Sequence, residues 1–251
     1  MDLVLFAVWC FLVALAGGLV GLVLGNLRLP ATVLVGSSPA AAAGANIGIS
    51  AVAAATASIA HIRAGRINWR LFRWMAPPSV AGALVGGYVG GVLPGDALLA
   101  VIAGVLLYSG LDLLRWTPPD ASAHPADGPP ELDIRAAVLT GLGIGLLGGI
   151  VGLILGSLRM PALLRVVLET PQRAVGTNVT VGLCVGIAGV LGHLPAESPD
   201  WKLLAVGAAA SIPGALLGSR LTGRLSPRQL VRAIAIVLLV AATAMAAQAL
   251  S

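Results

Sequence analysis

The sequence predicts an all-α polytopic membrane protein made of two homologous halves, and three observations carry that reading. Only 10% of its 251 residues are charged, against about 25% in a typical soluble domain. Apolar stretches recur along nearly the whole chain, at the length of about 18 residues or more that a helix needs to span a bilayer core. The segment GGLVGLVLGNLRLP at residues 17–30 returns as GGIVGLILGSLRMP at residues 148–161. Backbone groups in lipid need partners within their own segment, which favours helices. The short alternating segments of a transmembrane β-barrel are absent from the sequence.

The duplication runs well beyond the opening motif. Pro39, Ala42, Gly44 and Asn46 match Pro171, Ala174, Gly176 and Asn178. His61 matches His193, Trp69 matches Trp201, and Ser79, Gly82, Ala83 and Gly86 match Ser211, Gly214, Ala215 and Gly218. The first transmembrane repeat therefore covers 1–115 and the second 134–251. Residues 116–133 form a polar linker, which carries TPPDASAHPADGPPELD and leaves His124 solvated.

Apolar stretches in the first repeat cover about 3–36, 38–62, 71–92 and 96–115. Those in the second cover about 134–168, 172–194, 202–223 and 227–250. The first stretch of each repeat is interrupted by the glycine-rich motif, where Gly17-Gly18 and Gly148-Gly149 are expected to form the bend. Pro39 and Pro171 suit helix starts, as does Pro227 after Ser226. Gly82, Gly86 and Gly90, with Gly214 and Gly218, recur four apart and predict close helix packing. Trp69 and Trp201 read as interfacial anchors. Asp112 and Arg115, three apart, are expected to pair at a helix end.

Charge sets the orientation. The connector 63–73 carries Arg63, Arg66, Arg70 and Arg73, while its counterpart near 194–202 carries Glu197, Asp200 and Lys202. The bias reverses at the next connector, with Asp96 in the first repeat and Arg220, Arg224 and Arg228 in the second. By the positive-inside rule, equivalent loops then lie on opposite sides of the membrane, so the repeats are inverted. Inversion requires an odd number of crossings per repeat. The broken first stretch must contribute an even number, as a re-entrant hairpin or as two short crossings. A parallel four-plus-four duplication is the alternative.

Arg28 and Arg159 occupy the same motif position, each two residues before proline. A guanidinium at apolar depth costs at least ~3 kcal/mol unless it faces protein, water or an anion. Its planar fork suits two-point contact with an oxyanion. Glycine lets backbone approach a ligand, and amides freed at a helix break favour anions. The candidate substrate-binding residues are therefore Arg28, Arg159, Asn46, Asn178, Gly25 and Gly156. A structural reading stands beside each: the arginines snorkel or bond carbonyls opened by the break, and the asparagines tie helices together. Ser37, Ser38, Thr56, Ser79, Thr177, Thr180 and Ser211 are expected to bond their own helices. His61 and His193 are expected to cap helix ends.

The absences also carry weight. All ten acids lie in loops or near segment ends, so coupling through a membrane-embedded carboxylate is not expected. Export of an anion needs none, because a negative-inside potential drives a monovalent anion outward by ~2.3 kcal/mol per 100 mV. Cys10 and Cys184 sit in apolar runs as packing residues, and no metal or cofactor motif is present. The net charge of +5 marks topology rather than nucleic-acid binding, since no basic stripe or recognition module accompanies it. The first stretch follows Asp2 with no basic leader and has a partner later in the chain, so it reads as a helix rather than a signal peptide.

A duplicated glycine-rich stretch ending in proline, a small-residue helix, and a basic connector reading HIRAGRINW together resemble the TauE/SafE family of sulfite exporters. The resemblance covers about 3–115 and 134–250. It implies a multi-pass transporter of the bacterial inner membrane that moves sulfite, sulfoacetate or other organosulfur anions outward by alternating access, with the lipid bilayer and a small anion as its partners. Members commonly carry a run of glycines before the proline, where this chain has Leu24-Gly25-Asn26 and Leu155-Gly156-Ser157. With an arginine added to each motif, that departure points to a different anion preference. Two other readings remain open. One is an anion channel. The other is an intramembrane phosphatase-type enzyme, which needs an acid, base or metal near the phosphate and has only Glu169 beside a broken segment.

Overall fold

The computed structural model describes residues 2–89, 95–116, 133–151, 156–193 and 199–249. Those residues form helices and connectors with no strand. The first series is α1 (Leu3–Val20), α2 (Gly25–Val35), α3 (Pro39–Arg63), α4 (Trp69–Val89) and α5 (Gly95–Arg115). The second repeats the order: α6 (Ile134–Val151), α7 (Gly156–Arg165), α8 (Pro171–His193), α9 (Trp201–Thr222) and α10 (Pro227–Ala249). Among the described residues, Leu3–Val20, Gly44–Arg63, Trp201–Thr222 and Pro227–Ala249 are long and apolar enough to cross a membrane. The chain is an all-α multi-pass membrane protein. The polar linker and His124, with Gly90 and Glu197, lie outside the described residues.

Helix boundaries follow local chemistry. Ser38 caps α3 by accepting from Ala41 N at 3.1 Å, with Pro39 at the first helical position. Ser226 accepts from Gln229 N at 3.3 Å ahead of Pro227. Asp200 caps α9 through Lys202 N and Leu203 N, both at 3.1 Å, and also accepts from Ser37 N at 3.3 Å. These backbone donors hold its carboxyl below the ordinary carboxylate range. A depressed folded pKa stabilises above the unfolded value and is lost as pH falls through the folded one. Asp200→Ala is therefore expected to cost about 1 kcal/mol at neutral pH. That gap should close below about pH 4, as read by thermal unfolding in detergent.

The bend falls later than the sequence suggested. Gly17 and Gly18 are still helical, as are Gly148 and Gly149, and the first break comes at Gly21. Gly21 adopts φ +70°, and Leu22 N bonds back to Gly17 O at 3.0 Å to close the helix. Gly17 and Gly18 serve packing instead: a Cβ on Gly18 would stand 2.5 Å from Ala215 O. After the break the chain returns. Leu3 at the start of α1 and Val35 at the end of α2 pack against one apolar cluster around Phe6, Cys10, Ala45 and Ile49. Trp9 Nε1 donates to Leu27 O at 3.2 Å, so α2 folds back along α1 as a hairpin.

Each series lends its first helix to the other. α1 packs mainly on α9, and α6 on α4. Gly214 seats against Phe11 O and Gly218 against Leu15 O, so α1 and α9 run in the same direction. Gly82 and Gly86 meet Leu142 O and Leu146 O in the same way, so α4 and α6 are also parallel. α3 and α9 start side by side, with Asp200 N donating to Ala41 O at 3.1 Å. The start of α4 lies beside the second turn of α8, with Asn68 N donating to Thr177 Oγ1 at 3.0 Å. α5 and α10 are antiparallel, Gly110 lying against Ala235 and Leu239.

Three polar pairings differ from expectation. Asp112 bonds Arg165 at the end of α7 rather than Arg115, and Arg165 also lies 5.2 Å over the Trp116 ring. A long arginine from a packed neighbour offers two nitrogens to one carboxylate, which a residue on the same helix does not match here. Ser211 donates to Cys10 O across the α1–α9 contact at 3.4 Å. Thr177 accepts from Asn68 N. Thr56, Ser79 and Thr180 do bond their own helices. Trp69 and Trp201 are 49% and 66% exposed at helix starts, where an interfacial anchor belongs.

Candidate functional site

Both arginines are buried at the starts of the short helices. Arg28 on α2 is 2% exposed and Arg159 on α7 is 1% exposed, so neither snorkels to an interface. Each stands in the first turn of its short helix, where the first N–H groups lack intrahelical partners and the local dipole is positive. The arginine adds a full charge to that end. Neither guanidinium meets a carboxylate among the described residues, and the Nε of each has no hydrogen-bond partner.

The proline two residues on has a defined local effect. Pro30 lies inside α2 and cannot donate, so Asn26 O is released from the helix. That carbonyl accepts from Gln248 Nε2 of α10 at 3.3 Å.

Asparagines from α3 and α8 fasten the starts of the short helices. Asn46 Nδ2 donates to Gly25 O at 3.0 Å. Asn178 Nδ2 donates to Gly156 O and, across the two series, to Gly21 O, both at 2.9 Å. The missing Cβ of Gly25 leaves room for Ser50, whereas the contact at Gly156 is an ordinary one. A Cβ on Gly25 would stand 2.9 Å from Ser50 Oγ, and one on Gly156 3.4 Å from Asn178 Nδ2. The six candidate residues thus assemble as two clusters, Gly25–Arg28–Asn46 and Gly156–Arg159–Asn178. No hydrogen bond joins Arg28 to Arg159.

The clusters are not identical. Arg159 Nη1 donates to Asn178 Oδ1 at 3.2 Å. Arg28 Nη1 instead donates to Ser50 Oγ at 3.0 Å, leaving Asn46 Oδ1 buried without a partner. The cause is readable in the aligned repeats: in the register that matches Asn46 with Asn178, Ser50 falls opposite Gly182. Ser50 escaped the sequence reading, although that one serine-for-glycine difference marked it.

A narrow cavity connects the first cluster to the break. It is lined by Arg28 and Ser50, by Gly17, Gly18 and Leu22–Leu24, and by Val179 from α8. Its volume of about 10 Å³ is close to the space of one water. An oxyanion of several atoms does not fit that volume. His61, fully buried, bonds Gly18 O at 3.2 Å at the far wall, and Thr222 Oγ1 reaches the same carbonyl at 3.3 Å. Both satisfy carbonyls opened by the break, which is a capping role.

Glu169 has a structural assignment. It accepts from Asn68 Nδ2 and from Thr170 N, and it pairs with Arg173 at 3.8 Å. No cluster of three or more metal-ligating side chains occurs among the described residues.

A family model described as "Sulfite exporter TauE/SafE" matches residues 6–245. The chain is 28% identical to the "Probable membrane transporter protein y4hK" of Sinorhizobium fredii, covering 85% of this chain and 87% of that one. It is 26% identical to the "Probable membrane transporter protein YjnA" of Bacillus subtilis, covering 89% and 91%. It is 29% identical to a "Probable membrane transporter protein" of Xylella fastidiosa, covering 84% of each. No solved structure matches it significantly.

Proposed function

Because the chain belongs to the TauE/SafE sulfite exporter family and is a membrane transporter of that type, we propose that it exports a small anion, sulfite, sulfoacetate or a related organosulfur anion, past its two helix breaks. One observation carries the proposal: two buried guanidiniums at helix starts, each with, among the described residues, no partner for its Nε and no carboxylate beside it. Such a charge is costly in an apolar interior unless an anion visits it. Gly25 and Gly156 admit the cargo to the backbone, while Asn46 and Asn178 hold the breaks in shape.

The repeats 1–115 and 134–251 act as inverted halves joined by 116–133. The helix directions support this, since α3 starts beside α9 and α4 starts beside the second turn of α8. The two basic connectors also meet on one face, where Arg66 Nη1 donates to Ser219 O at 2.7 Å and packs on Gly223. Arg63, Arg70, Arg220, Arg224 and Arg228 flank that contact, which makes it the cytoplasmic face. Rocking one half against the other opens the cavity to each side in turn.

In proteoliposomes, sulfite or sulfoacetate efflux is expected to saturate with concentration and to follow the imposed potential. Ohmic single-channel current would instead make the protein a pore. Indifference to both anions in folded protein would remove this substrate class.

A further inference from the structure

We propose that the anion held at Arg28 carries its own hydrogen-bond donor. The class is a monoprotonated oxyanion such as hydrogen sulfite, or a hydroxyl-bearing sulfonate, rather than a donor-free or fully ionised anion, which narrows the proposed cargo to sulfite in its hydrogen form and drops sulfoacetate. The inference rests on the reading of Arg28 as a substrate-binding residue.

Two unmet groups define what the ligand must bring. Arg28 Nε is a donor without an acceptor, and Asn46 Oδ1 is an acceptor without a donor. Both belong to buried side chains, 2% and 5% exposed. The orientation of the Asn46 amide is set by its Nδ2 bond to Gly25 O, so the unmet atom is the oxygen. Asn46 and Ser50 are four apart on α3 and share a face. Ser50 Oγ receives Arg28 Nη1 at 3.0 Å, and both side chains crowd the missing Cβ of Gly25. The unmet donor and acceptor therefore both belong to the cluster at the start of α2.

The second cluster supplies a contrast within the same chain. There Arg159 itself satisfies Asn178 Oδ1, and among the described residues only the Arg159 Nε of this cluster is unmet. That cluster asks for an acceptor alone. At Arg28 the Ser50 hydroxyl has taken the guanidinium, so Asn46 Oδ1 receives nothing from the arginine, and an O–H on the cargo completes it. A ligand with charged oxygens and one O–H satisfies both groups at once. A donor-free anion leaves Asn46 Oδ1 buried and unpaired, and sites built to bond a hydroxyl reject analogues that lack it. A dianion also sets a second charge against that oxygen.

Few protein groups titrate at this point. Cys10 from α1 faces Arg28, and His61 from α3 bonds Gly18 O at the far wall. α8 contributes only Val179 to the cavity.

The test compares sulfite with methanesulfonate, a monoanion that has no O–H, by calorimetric binding to the purified chain across the second ionisation of sulfurous acid. Sulfite affinity is expected to fall about tenfold per pH unit once the dianion dominates. Methanesulfonate should bind independently of pH, which controls for Cys10 and His61, and at least about tenfold more weakly than hydrogen sulfite. Asn46→Ala should bring the two anions to within about twofold. If that variant does not fold, the comparison on the natural chain decides alone. Methanesulfonate binding as tightly as hydrogen sulfite, or sulfite affinity that holds or rises with pH, overturns the inference. If those bindings still vanish in Arg28→Ala, the exporter reading stands without it. Absence of binding by either anion overturns both.

Discussion

Replacing Gly218 by leucine is expected to prevent the chain from reaching its fold, and Gly86→Leu should do the same on the opposite side. A single Cβ at Gly218 would stand 2.1 Å from Leu15 O, and one at Gly86 would stand 2.2 Å from Leu146 O. Those neighbours are backbone, so no rotamer change relieves the clash and the helix pair must separate. α1–α9 and α6–α4 are the contacts through which each half holds the other. In lipid the association of helices rests on close approach and dispersion, with no hydrophobic drive to compensate. The expected loss is upward of ~3 kcal/mol per site, at the top of the range for overpacking. Gly104→Leu and Gly143→Leu provide the control, because nothing lies within 4 Å of a Cβ at either position. Thermal unfolding and size-exclusion profiles in detergent should show the first two variants aggregated and the controls unchanged.

Removing the buried charge is expected to have the opposite effect on stability and a large effect on binding. Arg28→Met deletes a guanidinium that bonds Ser50 and faces the Cys10 thiol, and Arg159→Met one that bonds Asn178; neither has an ion pair among the described residues. Replacing such a charge with an apolar side chain of similar length removes a desolvation cost and is neutral or stabilising in other proteins. Sulfite affinity should meanwhile drop about a hundredfold, the scale of losing a buried charged hydrogen-bonding partner. Arg28→Lys should fall between, keeping charge but losing the fork. Melting temperature and calorimetry on the same samples check both halves of this expectation. A variant that melts lower and binds as well as the natural chain would make the arginines structural.

Much of this arrangement follows from local patterns. Apolar runs and prolines at helix starts place α3, α8 and α10 to within a residue or two, because capping and periodicity are local. The small-residue spacing of Gly82, Gly86, Gly214 and Gly218 foretells close packing, since only missing side chains admit a neighbouring backbone. Which helix each of them meets is a different matter. The crossed pairing of α1 with α9 and of α6 with α4 joins residues far apart in the chain, and nothing in either segment names its partner. The bend moved from Gly17-Gly18 to Gly21 for a related reason. All three are glycines, and the choice depends on Ala215 O pressing on Gly18 while Gly21 takes the left-handed conformation. Asp112 likewise turned to Arg165, which only the fold brings near. Duplication was the strongest clue to the buried clusters, yet their asymmetry came from Ser50 opposite Gly182, a single departure from the repeat.

The position of the anion tests the central claim most directly. Crystals grown with selenite, a heavier oxyanion of the same shape as sulfite, report it by anomalous scattering. An anomalous peak within hydrogen-bonding reach of the Arg28 or Arg159 guanidinium, at the start of α2 or α7, is the predicted result. Peaks confined to the exposed basic face around Arg66 and Arg224, with none at either helix break, would contradict it.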